Sequence, residues 1–335
     1  MRLLQRICVL ALIAGISTVA LYATGQIEDT VLETGEIPVT LVLDWVPNTN
    51  HTGLYVALDR SFYADEGLRV EIVQPSEVGA EALVANGVGQ FGISHQEAVT
   101  YARTADSPLP IVAVAAILQH NTSGFLITAD RGVQNPGDLE HLRYGGWGSE
   151  YEEALISAVM TGYDADPSTV EIGNVGTMDI FAAFDRLIDF AWVFYGWDGV
   201  RAEIEGTAVT YLPLSEFDSL LDYYTPVIVT AESYAEENPE VVSAFLRATE
   251  RGYRAVIQDP EGSADTLLQY APEIGREHAV ASISYLTAFF LDQGEPWGLM
   301  DDEPWESFAT FMDDAGLLPR PLDFRSAYTN AYLSE

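Results

Sequence analysis

Residues Asp44–Ala57 read DWVPNTNHTGLYVA, and they fix how the chain is built. Upstream, Val39, Leu41 and Leu43 alternate with Thr40 and Val42, the period of a strand. That pattern breaks at Pro47, and Asn48 to Thr52 form a dense polar turn. After Gly53, Leu54, Leu58 and Phe62 recur four apart, which predicts a helix. Trp45 and a group of hydrogen-bonding side chains therefore sit between a strand and a helix. In open α/β sheets such loops, at the carboxyl ends of strands, are where small ligands bind. The competing reading of the stretch is a helix cap beside a packed Trp.

Working outward, strand-like and helix-like segments keep alternating. Val70 and Ile72 alternate with polar neighbours, Glu81–Ala85 begins a helical stretch, and Phe91–Ser94 and Ile111–Leu118 read as buried strands. Tyr151–Met160, Asp179–Leu187 and Pro239–Ile257 read as helices. In the last, Val241, Val242, Phe245, Leu246, Thr249, Tyr253 and Val256 form an apolar stripe, and Pro239 sits at the start, where its missing N–H costs nothing. Repeated strand–helix units predict an α/β protein with mostly parallel sheets covered by helices. No Gly/Ser-rich linker divides the chain. Gly124–Thr128 and Thr225–Thr230 flank a central block and are candidate crossings between two lobes.

The chain has 335 residues, with 51 Asp and Glu against 15 basic residues, every one of them arginine, and a net charge of −36. Such an excess excludes nucleic acid as a partner, since phosphate binding needs basic patches. A solvated acidic surface suits a high-salt habitat, where ions screen its self-repulsion. Drift in a GC-rich genome explains the missing lysine but not the surplus of acids. Equal melting temperatures in dilute buffer and molar salt would sink the salt reading.

At the N-terminus, Arg2 and Arg6 precede the apolar run Ile7–Ala23, with small residues at Ala23 and Gly25. Residues 1–25 read as an export signal, or as an uncleaved anchor, since the run is near the lower limit for a span. Cys8 is the only cysteine, so the exported part has neither a disulfide nor a thiol ligand. His51, His95, His120, His141 and His278 show no close zinc spacing, and no calcium loop or G-x-S-x-G elbow occurs. No metal and no cofactor is expected.

Further motifs punctuate the chain: Tyr144–Ser149 (YGGWGS), Asp189–Gly199 (DFAWVFYGWDG), Tyr223–Pro226 (YYTP) and Thr329-Asn330. In their order and spacing these, with the opening stretch, resemble the thiamine-pyrimidine precursor family: formylaminopyrimidine-binding proteins of ABC importers and the related fungal synthases. The resemblance runs from about Val39 to about Leu333. It implies a type II periplasmic-binding-protein fold, two lobes joined by a two-strand hinge. Lobe 1 is expected over 37–126 plus 227–335, and lobe 2 over 127–226. It also implies a monomeric, extracytoplasmic solute-binding protein that captures an aminopyrimidine and delivers it to a membrane permease with its ATPase.

A flat aminopyrimidine asks for aromatic plates and a few fixed polar partners, including a carboxylate for its amine. Trp45 is the first candidate plate, followed by Tyr195 and Trp197, with Gly196 and Gly199 freeing the backbone to turn. Asp198 is the candidate carboxylate; many family members carry Glu there, and the alternative role is an N-cap for Val200–Ile204. Trp147 lies in a glycine-rich turn whose N–H groups, with Ser149 capping a helix, suit an anion or carbonyl. Asn48 and Gln96, with neighbouring Asn50 and Glu97, stand at strand ends. Of Tyr223 and Tyr224, Tyr224 is preferred as the cleft residue. His51 matches the histidine consumed in the fungal synthases, yet a hydrogen-bonding or capping role at the loop–helix junction is the plainer reading.

The synthase chemistry implied by the resemblance needs a lysine to hold pyridoxal phosphate, and this chain has none. Ser94 stands at the lysine position, and Leu221–Thr225 carries no cysteine where the synthases have an iron motif. A carrier, not an enzyme, is expected. Sulfonate, nitrate and taurine carriers of the same architecture want cations in the cleft, and Arg201 is the nearest to these motifs. Riboflavin-like ligands, which also stack on aromatics, are the closer rival.

Overall fold

The computed structural model describes residues 35–75, 78–148, 150–176, 178–184 and 186–334. The leader, Cys8 and Ser149 lie outside them. Among the described residues, ten strands form two five-stranded sheets. The first sheet contains β1 (Ile37–Val42), β2 (Leu68–Val73), β3 (Phe91–Ser94), β4 (Ile111–Ala116) and β10 (Val227–Ala231). The second contains β5 (Ser123–Thr128), β6 (Arg143–Gly146), β7 (Glu171–Asn174), β8 (Phe190–Phe194) and β9 (Val209–Pro213).

The strand orders are β2-β1-β3-β10-β4 and β7-β6-β8-β5-β9, the same pattern twice. In each sheet the first three strands are parallel, and the strand that follows a crossing between sheets runs antiparallel. Each sheet is thus mostly parallel, as expected, with one antiparallel strand, β10 in the first and β5 in the second. These two strands are the ones that enter from the opposite sheet, β5 directly after β4 and β10 after the short helix Leu214–Phe217. The crossings themselves are the short stretches before Ser123 and before Val227. They are tied together: His120 Nδ1 lies 2.8 Å from Asp222 Oδ2, and the Asn121 N–H donates to Asp222 Oδ1 at 2.9 Å.

The core strands read as nearly unbroken apolar runs because helices cover both faces. All six residues of β4 and all five of β10 are buried. The helix Pro239–Gln258 buries Val242, Phe245, Leu246, Thr249, Tyr253 and Val256, the stripe its sequence predicts. It crosses the helix Thr52–Asp59 so closely that a Cβ on Gly252 would sit 2.0 Å from the Gly53 carbonyl oxygen. A Cβ on Gly53 would lie 2.4 Å from the Tyr253 ring. This crossing and the helix Arg276–Leu286 hold the polar turn in place: the Tyr253 hydroxyl donates to the Asn50 carbonyl at 2.7 Å, and Thr49 Oγ1 meets Ser282 Oγ at 2.7 Å. The helix expected to continue through Phe62 instead breaks at Ser61, whose φ is +60°, and restarts at Phe62.

One element departs from the expected division of the chain. The helix Asp302–Asp314 follows β10, yet Phe308, Phe311 and Met312 pack with Tyr151, Leu155, Leu221 and Tyr223 on the second sheet's side. Trp305, on the same helix, packs with β4 and β10 residues of the first sheet. Burial of such aromatic side chains is worth roughly 1.5–3 kcal/mol apiece, so this helix fastens two cores at once.

Candidate functional site

Between the sheets lies a cavity of about 640 Å³. Its walls come from the loops after β1, β3, β6 and β8, the carboxyl ends of the parallel strands on both sides. In each sheet these pairs flank the point where strand order reverses, the place where α/β sheets open a crevice. The shallow hollow of about 460 Å³ around Pro239 and Tyr332 is an open surface feature with no such construction.

The loop after β1 supplies Asp44, Trp45 and Asn48. Asp44 is the second residue past the strand end and is nearly covered. Its Oδ1 accepts from His51 Nε2 at 2.7 Å, and its Oδ2 lies 3.4 Å from His95 Nε2. Burial works to raise the Asp44 pKa, but the two imidazoles outweigh it and hold the carboxyl at about 2. His51 is fully buried behind this carboxylate, not on the cavity wall. Its Nδ1 accepts the Asn48 N–H at 3.2 Å, closing a capping box on the turn Thr49–His51. With Nδ1 accepting, Nε2 carries the proton that Asp44 receives. The geometry is that of a capping histidine.

Trp45 is 50% exposed and Trp147 54% exposed. They approach each other edge to face from opposite sheets, both on the cavity wall. In the glycine-rich turn that carries Trp147, the N–H groups of Trp147 and Gly148 are not free. Glu152, from the first turn of the helix Glu150–Thr161, fills it: Oε1 accepts from Trp147 N at 2.9 Å and Oε2 from Gly148 N at 2.8 Å. The Tyr144 hydroxyl donates to the same carboxylate at 2.7 Å. Glycine is required at 146 because a Cβ there would lie 2.1 Å from Glu152 Oε1.

The loop after β8 forms a single π-helical turn, Tyr195–Gly199, a distortion that often marks functional sites. It sends Trp197 and Asp198 to the cavity and turns Tyr195 away. Tyr195 packs on Tyr211 and Tyr285, and its hydroxyl donates to Glu203. Gly199 keeps ordinary helical angles, and its missing Cβ makes room for the Tyr195 ring at 2.3 Å. Close approach, not freedom to turn, is what this glycine provides. Asp198 makes no cap for the following helix. Burial lifts its carboxyl to about 6 against the pull of Arg201. Trp197 is backed by His278, whose ring lies 4.4 Å away and whose Nε2 donates to the Trp197 carbonyl.

Adjacent residues trade places at two other points. Gln96 is buried and binds the backbone, donating to the Pro304 carbonyl at 2.8 Å and accepting from Tyr224 N at 2.9 Å. Its neighbour Glu97 is the one on the cavity wall, with burial, and then the charge of Glu152, lifting its carboxyl to about 7. Tyr224 likewise points away and accepts from Asp301 N at 2.8 Å, whereas Tyr223 lines the cavity.

Of the expected residues, the structure thus gathers Trp45, Asn48, Trp147, Trp197 and Asp198 on one surface and places His51, Gln96, Tyr195 and Tyr224 behind it. It adds Asp44, His95, Glu97, Glu152, Asp179 and Tyr223; of these Asp44 and Tyr223 lay inside quoted motifs and Glu97 beside a candidate, but none was chosen as a site residue. Arg201 is the arginine of the wall, and it is engaged by Asp179 at 2.9 Å and Glu205 at 2.8 Å. The walls are acidic and aromatic, built to receive hydrogen-bond donors on a flat apolar body. Among the described residues no cluster of ligands suits a metal ion. Nor do the residues fit pyridoxal phosphate: the chain lacks lysine, and Ser94 is fully buried, donating to Glu81 away from the cavity.

The fold is that of the periplasmic binding proteins. The sulphonate-binding protein of Escherichia coli superposes with a TM-score of 0.69 over 88% of this chain and 98% of that one, at 14% identity. Residues 48–263 match the family model described as NMT1/THI5 like, and the chain belongs to that family. A formylaminopyrimidine-binding protein from Halalkalibacterium halodurans is 28% identical over 90% of this chain and 92% of its own length. A 4-amino-5-hydroxymethyl-2-methylpyrimidine phosphate synthase from Legionella pneumophila is 23% identical, covering 89% of this chain and 92% of its own. A riboflavin-binding protein from Chloroflexus aurantiacus is 26% identical over 88% of this chain and 86% of its own.

Proposed function

We propose that this protein is an exported solute-binding protein of an ABC importer, and that it captures a thiamine-precursor aminopyrimidine between its lobes. The observation that carries this reading is the wall itself: Trp45, Trp147 and Trp197 surround a space bordered by Asp44, Asp198 and Glu97. Aromatic faces suit a stacked pyrimidine, and carboxylates suit its amine and any ring proton. The formylaminopyrimidine-binding relative supports the ligand class. Capture is lobe closure about the two crossings, with no bond broken. The proposed lobes are 37–126 with 227–335, and 127–226, adjusted for the helix Asp302–Asp314. A permease and its ATPase are the proposed partners, the carrier acting as a monomer. Residues 1–25 are proposed as the export signal or anchor; among the described residues no helix is long and apolar enough to cross a membrane.

A carrier is favoured over a synthase because no lysine exists to form the Schiff base. A second reading, a riboflavin-like ligand, draws on the size of the cavity and on the riboflavin-binding relative. The test is calorimetric titration of residues 26–335 in high salt with formylaminopyrimidine, hydroxymethylpyrimidine, thiamine and riboflavin. Tight binding of an aminopyrimidine without turnover supports the carrier reading. Binding of riboflavin alone transfers the site to the second reading, and turnover of any ligand ends the carrier reading.

A further inference from the structure

We infer that Glu152 makes this cleft selective against phosphate monoesters, so that the protein takes its ligand in the unphosphorylated form. The inference rests on the proposed aminopyrimidine reading and adds to it the charge state the site accepts.

A glycine-rich turn leading into a helix ordinarily offers its N–H groups and the positive helix end to a phosphate. Here the N–H groups of Trp147 and Gly148 are already taken. The Glu152 carboxylate, 2% exposed, receives Trp147 N, Gly148 N and the Tyr144 hydroxyl. The turn is shaped around it: Gly146 leaves the volume that Glu152 Oε1 occupies, and Gly148 adopts a φ of +86° beside Asn174. The negative charge that the turn can stabilise is thus internal to the protein.

The rest of the wall offers no replacement. Asp44, Glu97, Asp179 and Asp198 face the same space, and Arg201 is held between Asp179 and Glu205. His95 lies on the wall beside Asp44 and Thr225. A phosphate entering near Trp147 would stand against Glu152, and among the described residues of the wall the arginine, Arg201, is already paired. Like charges brought together in a cleft of restricted solvent cost several kcal/mol, enough to decide specificity.

The experiment compares hydroxymethylpyrimidine with its phosphomonoester by titration calorimetry, on the wild type and on Glu152→Gln. The expected result is a phosphomonoester that binds about a hundredfold or more weaker than the alcohol, the scale of a like-charge penalty. Glu152→Gln, which keeps an oxygen acceptor but removes the charge, should narrow that gap. Should the variant fail to fold, inorganic phosphate is titrated as a competitor into the wild type loaded with the alcohol, and it should displace nothing. A phosphomonoester within about tenfold of the alcohol on the wild type overturns the inference while leaving the ligand class standing. An unchanged gap in a folded Glu152→Gln removes Glu152 as its cause. If neither compound binds, the proposed ligand class itself falls, and this inference with it.

Discussion

Trp45 and Trp147 meet edge to face across the cleft, with 5.8 Å between ring centroids and 88° between planes, one ring carried by each sheet. Each is half-exposed, so neither is committed to a core. Both rings can therefore rotate onto a ligand without uncovering apolar structure elsewhere. Trp45→Ala should weaken aminopyrimidine binding by roughly 1–3 kcal/mol, the range for base–aromatic stacking, with little change in melting temperature. An unchanged dissociation constant would take Trp45 out of the site.

Asp198→Asn tests the carboxylate. Its carboxyl is raised to about 6 by burial, so the charged form costs the empty protein some stability. The variant should lose affinity for the aminopyrimidine while melting at the same temperature or slightly higher. Full affinity with the fold intact would mean that the ring amine is received elsewhere, Asp44 being the next acceptor.

Gly53→Ala tests the helix crossing that anchors the polar turn. The added methyl would overlap the Tyr253 ring, which is itself packed on Trp297 and Phe290. Overpacking of this kind costs about 1–3 kcal/mol. A denaturant midpoint equal to that of the wild type would show that the two helices separate more easily than their contact suggests.

Glu97 makes stability depend on pH. Burial and Glu152 raise its carboxyl from 4.5 to about 7. A group whose folded pKa lies above its unfolded one stabilises the fold while protonated. That contribution is complete below the unfolded value and is lost as pH rises through 7. Asp198 acts with the same sign, its loss centred near 6. Between about pH 5 and 8 the melting temperature should fall, and the fall should be smaller in Glu97→Gln. Identical slopes in the two proteins would contradict the assignment.

The alternation of β1, the stripe of Pro239–Gln258 and the strand-end position of the polar turn were all legible in the sequence, because each rests on periodicity. The loops of the site were legible for the same reason. Which side chain of a loop faces the cavity was not: Glu97 rather than Gln96, Tyr223 rather than Tyr224, and Trp197 without Tyr195. Neighbours in a loop point apart according to backbone angles that no spacing rule encodes. Asp44 and Glu152 were hidden by abundance, since a chain with 51 acids gives no reason to single out two. Their positions, one past a strand end and one in a helix's first turn after a glycine-rich turn, were the available signal. The helix Asp302–Asp314 is apolar on one face in either sheet's company, and its pattern says nothing about which core receives it.

That helix makes the chain indivisible as a piece of engineering. A cut placed after β9 and before β10, the obvious seam between the sheets, would strip Phe308, Phe311 and Met312 from the half they complete. A reporter inserted to sense closure has the same constraint: it must leave residues 302–314 attached to the second sheet while the first sheet moves. Pieces designed to fold separately would need that helix copied onto the second half, with Trp305 replaced where its first-sheet partners are gone.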